Sequence, residues 1–228
     1  MPSKRPLAPP RLEFSTGSIE VLKWLALLLM TLDHVNTFLY DRDFPVLYRM
    51  GRVAMPLFGF VLAYKLARSG ALANGAYGRV MKRLAVFGLL ASPMFVAMVG
   101  WQSLNIMFTL LVAVAVMYLI EKGGRWHVMS AAVLFFACGA YVDFLWFGVL
   151  HCLAAWCYCK RPGWPALSAW IAVTAALYTV NGNLWALAAL PVIFLASHVD
   201  VRMPRHQFLF YAYYPAHLAV LWGLGYMT

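Results

Sequence analysis

Residues 19–40, IEVLKWLALLLMTLDHVNTFLY, form an apolar run about as long as a bilayer is thick, and eight further apolar runs follow before residue 228. Roughly 20 apolar residues cross the hydrocarbon core as a helix, with about 17–25 as the working range. A soluble domain has nowhere to bury so many runs. Hydrophobic residues make up 64% of the chain and charged ones 11%, against about 45–50% and about 25% in ordinary domains. Lipid takes the excess, so the expected fold is all-α: a polytopic helical membrane protein. Helices are expected at about 19–40, 51–67, 83–99, 104–120, 127–141, 143–159, 166–180, 184–197 and 208–227. Gly, Pro and charge fill the connections, as in RSGALANGAYGR, EKGGR, KRPGWP, NGN and HVDVRMPRH. The break between the fifth and sixth helices rests on GAYVD alone.

The positive charges test this count. With the N-terminus inside, fifteen of the eighteen Lys and Arg fall on inner segments, and only Arg42, Arg49 and Arg52 fall outside. Cytoplasmic loops carry such an excess. The expected topology is nine spans, N-terminus cytoplasmic and C-terminus periplasmic, in a bacterial inner membrane. The basic segment 1–18 precedes a single transmembrane domain, 19–228. MPSKRPLAPPR before an apolar run mimics a signal peptide, but the run is too long for one and reads as a retained first span. The net charge of +10 is topology and attraction to lipid headgroups rather than nucleic-acid binding, because the cations come in short clusters with no soluble basic domain. The four cysteines, three of them in HCLAAWCYCK, include no CxxC pair. They read as buried thiols, with no metal site expected.

Ionisable groups inside spans cost about 2.5–3.5 kcal/mol each on insertion scales, so they face protein or a wet cavity. On the first helix Asp33, Asn36, Thr37 and Tyr40 share one side, with His34 at its shoulder and Leu28, Leu32, Val35 and Leu39 opposite. His34 lies fifteen residues beyond Ile19, roughly 22 Å along the helix and in its outer half. Arg52, Asn105, Asp143 and His217 reach the same level in this topology. Asp33 and His34 are not a ready dyad, since sequence neighbours on a helix point about 100° apart. Asp33 is expected to pair with Arg52, and any orienting partner for His34 must come from another helix. His151, His127, His198 and His206 read as interfacial. At the inner side AYKLARSGALANGAYGRVMKRL gathers Lys65, Arg68, Arg79, Lys82 and Arg83, either as topology or as a clamp for a polyphosphate donor.

The stretches LKWLALLLMTLDHV, GRVAMPLFGFVLA, KRLAVFGLLASPMF, LNIMFTL, YVDFLWFGVL, ALAALPVIFL and FLFYAYYPAHLAVL, in that order, resemble the TraX family of conjugative-plasmid membrane proteins. They are more distantly similar to the acyltransferase 3 class. The family pattern places weight on Asp33, His34, Gly51, Arg52, Pro56, Arg83, Asn105, Asp143, Tyr214, Pro215 and His217; Met55, Gly59 and the HC after FGVL depart from it. The resemblance implies acetyl transfer from cytoplasmic acetyl-CoA to the N-terminal amine of a pilin subunit. On that reading His34 is the general base, with Asp33, Arg52, Asn105 and His217 completing the catalytic group. Arg52, Asn105 or His217 would hold the thioester oxygen or the acceptor. Lys65, Arg68, Arg79, Lys82 and Arg83 would hold the donor, and Asn36, Tyr40, Asp143 and Tyr214 the acceptor. Partners are the pilin, membrane lipids and other conjugative pilus assembly proteins. Three rivals fit the same residues: a proton-coupled transporter, a scaffold that holds pilin without modifying it, and a processing factor with another acceptor.

Overall fold

The computed structural model describes residues 9–225. Residues 1–8 of the basic N-terminal segment and the end of the last expected helix lie outside them. The described residues are helical, with no strand. Each expected apolar run has a helical counterpart: α1 (Thr16–Leu39), α2 (Pro45–Gly51), α3 (Ala54–Leu66), α4 (Ala76–Val99), α5 (Ile106–Lys122), α6 (Arg125–Gly139), α7 (Leu145–Lys160), α8 (Trp164–Ala176), α9 (Tyr178–Asn181), a 3-10 turn (Trp185–Ala188) leading into α10 (Ala189–Ala196), and α11 (Gln207–Gly225). Pro45–Leu66 and Ala76–Val99 are long and apolar enough to cross a membrane. The nine-span count stands as an expectation on the remaining, shorter or more polar helices.

Local chemistry explains where the boundaries depart from the hydrophobic pattern. α1 starts inside the N-terminal segment because the Ser15 hydroxyl accepts from the Ser18 N–H at 3.1 Å, a side-chain N-cap. The preceding residues are docked: the Phe14 N–H donates to the Tyr64 hydroxyl at 3.2 Å, and Tyr158 donates to the Pro10 carbonyl. α4 begins at Ala76, ahead of the expected 83, because Tyr77 is buried and donates to the Leu66 carbonyl at 3.1 Å. That contact anchors a first turn too polar to register as a span. GAYVD does separate two helices. There Leu104 forms an isolated parallel bridge with Val142: the Leu104 N–H donates to Tyr141 O at 2.7 Å, and the Asp143 N–H to Leu104 O at 2.8 Å. Two turns are thereby joined through their backbones.

Six helices close a ring in the order α1, α3, α7, α5, α4, α11 and back to α1. α6 packs outside on α5 and α7, and α8 on α7. Behind the ring, Trp170 is fully buried against Phe60, Tyr158 and Phe194. His151 also belongs to this core. It is wholly buried, 3.0 Å from Thr174 Oγ1 and 3.2 Å from the Pro56 carbonyl, which corrects its interfacial reading. Cys157 corrects the view that every thiol is buried, since it is exposed.

Gly51 decides how closely α2 approaches α1. A Cβ there would overlap the Asp33 side chain. Gly51→Ala is therefore expected to cost about 1–3 kcal/mol through overpacking, read as a lower unfolding temperature in detergent. An unchanged temperature would show that the two helices have room to separate.

Candidate functional site

The ring encloses a cavity of about 430 Å³, within the usual range of small-molecule sites. Its walls draw on α1, α3, α4, α5 and α11, with Asp143 and Phe144 from the turn before α7. The chemistry of the two ends differs. One end carries Lys23, Lys65, Arg68, Arg79, Arg83 and Arg205. The other carries Asp33, His34, Arg52, Asp143 and Tyr214. Between them the lining is apolar, as at Leu27, Met30, Phe58 and Val61. Lys23 and His34 stand eleven residues apart on one helix, and Arg52 and Lys65 thirteen apart along α3 and its entry. At 1.5 Å per residue the ends lie roughly 16–20 Å apart.

At the second end, Arg52 and Asp33 form the expected ion pair. The Arg52 Nε also donates to the Tyr48 carbonyl at 3.2 Å, and the guanidinium lies 4.4 Å from the Tyr48 ring centre. These contacts leave Nη1 unengaged by either partner. Asp33 is buried, and among the described residues its Oδ1 has no hydrogen-bond partner, so the direct contact with Arg52 is the main compensation for that carboxylate. His34 meets an imidazole from another helix: its Nδ1 lies 2.7 Å from His217 Nε2, with the ring centres 5.0 Å apart and the ring planes inclined by 12°, an edge-to-edge pair. His217 Nδ1 in turn lies 3.1 Å from the Tyr213 carbonyl.

Asp143 is set by strained backbone. Phe144 and Leu145 follow it at φ of 62° and 51°, a left-handed conformation costly for residues with a Cβ. The Asp143 Oδ1 accepts from the Phe144 N–H at 3.0 Å, and Thr109 donates to the Asp143 carbonyl at 2.5 Å.

Nine of the fourteen expected site residues therefore line one cavity: Asp33, His34, Arg52, Lys65, Arg68, Arg79, Arg83, Asp143 and Tyr214. Five do not. Asn105 caps α5, accepting from the Met107 N–H at 3.1 Å and donating to Gly88 O at 3.0 Å. Asn36 holds the backbone N–H and carbonyl of Phe44, both at 3.0 Å, and so pins the α1–α2 loop. Tyr40 is half-exposed against Phe44. Lys82 points outward, and His217 stands behind His34 rather than in the wall. Conversely, Lys23 and Arg205, two of the fifteen inner cations, line the cavity although the charge count gives them no role beyond topology. The one signal for Lys23 was a cation set within the first apolar run, one turn from Glu20, with which it pairs at 2.5 Å.

The family model described as TraX protein matches residues 18–225. A protein from Escherichia coli named Protein TraX is 31% identical over 124 residues, covering 54% of this chain and 48% of that protein. A second Protein TraX, from Escherichia coli strain K12, is 33% identical over 125 residues with the same coverage. The chain thus aligns with about half the length of these curated relatives. No solved structure matches the chain.

Proposed function

The chain belongs to the TraX family, and from that premise we propose that it is a multi-pass inner-membrane acetyltransferase. It would move acetyl from cytoplasmic acetyl-CoA to the N-terminal amine of a conjugative pilin subunit. The observation that carries this reading is that one cavity joins a cluster of cations to an imidazole and an arginine across an apolar passage. A donor with a polyanionic head, a slender arm and a reactive thioester tip has that same order of parts. Arg and Lys hold phosphates by charge-assisted hydrogen bonds, while the arm needs only apolar walls.

The outer surface supports a lipid setting. Leu89 on α4, and Val133 and Phe136 on α6, are 64%, 68% and 68% exposed. Only 22% of the most apolar stretch of α4 is buried, which favours a helix that faces lipid. Exposed apolar side chains such as these cost nothing against acyl chains.

The chemistry follows from the side chains at the far end. The neutral amine of the acceptor attacks the thioester carbonyl; the C–N bond forms as the C–S bond breaks. His34 accepts the amine proton and returns it to the departing thiolate. Arg52 supplies positive charge where the carbonyl oxygen becomes negative, the arrangement that stabilises acyl-transfer transition states. Asp143 and Tyr214 offer an acceptor and a donor for the incoming peptide end.

The reading is tested by intact mass spectrometry of the pilin from cells with and without this protein. The expected result is a pilin heavier by one acetyl group only when the protein is present; identical masses would overturn the reading. The cation end makes a separate expectation. Lys65→Met is expected to raise KM for acetyl-CoA by about tenfold or more, since hydrogen bonds to charged groups contribute about 1.5–3 kcal/mol. Little change in kcat is expected, because that contact is made equally in ground and transition states. Steady-state kinetics in proteoliposomes reads both values, and an unaltered KM would remove Lys65 from the donor site.

A further inference from the structure

We infer that His217 is a positioning residue: it fixes which nitrogen of His34 bears the proton, and it shares the proton that His34 takes up. The inference rests on the proposed acetyl transfer for its purpose, and on geometry for its content. His217 Nδ1 faces the Tyr213 carbonyl at 3.1 Å. A carbonyl only accepts, so Nδ1 carries a hydrogen. In the neutral ring Nε2 is then bare. That bare nitrogen lies 2.7 Å from His34 Nδ1, which must be the N–H donor of the pair. The other assignment would place a proton on both nitrogens of His217. That would be a buried cation set among backbone groups of Tyr213 and Tyr214 and another imidazole, with no carboxylate in contact with it among the described residues, at a considerable desolvation cost. The neutral assignment leaves His34 with a hydrogen on Nδ1 and a lone pair on Nε2, available to the cavity it lines.

Further contacts hold the pair in register. The Tyr213 ring stacks on His217 at 5.2 Å, and the Tyr213 hydroxyl lies 2.9 Å from Thr31 Oγ1, one turn before His34 on α1. α1 and α11 are thus linked twice at this level. During transfer the proton arrives at His34 Nε2, the Nδ1 proton can shift to His217 Nε2, and both moves reverse when the thiolate is protonated. Atoms and charge balance with no co-reactant beyond donor and acceptor. The device resembles a base oriented by a hydrogen bond to its distal nitrogen, with a second imidazole in place of a carboxylate.

The test separates the pair from the reaction. Full-length protein with 15N-labelled histidine is reconstituted in detergent micelles, and long-range 1H–15N correlation spectra give the tautomer of each ring. The His34 signals, identified by their loss in His34→Gln, are expected to show the Nδ1–H form. In His217→Ala they are expected to shift to Nε2–H or to a mixture. His217→Gln, whose amide oxygen can stand near the lost Nε2, is expected to keep Nδ1–H. An Nε2–H form in the unsubstituted protein, or a tautomer indifferent to His217→Ala, overturns the inference. In proteoliposomes, His217→Ala is expected to lower kcat about a hundredfold or more with KM for acetyl-CoA within about threefold, and His217→Gln to recover most of that loss. Equal losses in both variants would mark His217 as packing alone and overturn the positioning role. Absence of any acetyl transfer by the unsubstituted protein would overturn the proposed function, while the tautomer result would still stand on its own.

Discussion

Replacing His34 with alanine is expected to lower kcat for acetyl transfer by about a hundred- to ten-thousand-fold, the contribution of a well-placed general base. The affinity for acetyl-CoA should hardly move, because the cations that would bind its phosphates lie at the other end of the cavity, roughly 16 Å along α1. The measurement is single-turnover transfer from radiolabelled acetyl-CoA, with donor binding followed separately by equilibrium dialysis. A His34→Ala protein that transfers acetyl at the original rate would remove the base from the mechanism. The same assay without acceptor distinguishes a second chemical route. Label that stays on the protein, and is lost in His34→Ala, would mean that the imidazole is itself acetylated and that direct attack by the amine is wrong.

Arg52→Ala is expected to destabilise the protein by about 3–5 kcal/mol, the usual cost of removing one partner from a buried ion pair. Asp33 is buried, and among the described residues its Oδ1 has no hydrogen-bond partner. Without Arg52 that half-satisfied carboxylate would lose the cation it directly contacts. Pairing Arg52→Ala with Asp33→Asn should restore more than half of the loss, since the neutral amide leaves no stranded charge. Thermal unfolding of the four proteins in one detergent closes the double-mutant cycle. If Arg52→Ala melts with the parent, the ion pair contributes nothing to the fold.

Much of the helical layout could be read from apolar run lengths, because a run near the bilayer thickness leaves little choice but helix. The misplaced ends are those where a particular contact outweighs hydropathy. Tyr77 extends α4 backward through a hydrogen bond to Leu66 O, and the run 51–67 begins early as α2 because Pro45 starts a short helix that ends at Gly51. The Asp33–Arg52 pair was legible since two opposite charges at one depth in apolar helices have few other partners. The need for a second helix to hold His34 was legible too, from the 100° turn between neighbours, but not which residue supplied it. Asn105 and Asn36, expected at the site from sequence, hold backbone groups in the structure. An amide serves either purpose, and the choice depends on whether an unpaired N–H from a helix start or turn falls within reach. Lys23 and Arg205 were hidden for the opposite reason. Counting cations by side gives each of them a sufficient explanation, and only the ring closure that brings α1 against α11 reveals that they share a wall.

The six cations at one end of the cavity belong to stretches as remote in the chain as Lys23 and Arg205, so no short segment and no unfolded chain presents them together. Whatever polyanion they hold would act as a brace between α1 and the segment that leads into α11. Folding and occupancy then become linked quantities. A ligand present at a hundred times its Kd adds about 2.7 kcal/mol to the folded state. Heat resistance that climbs with donor concentration would report the completed ring before any acetyl group has moved.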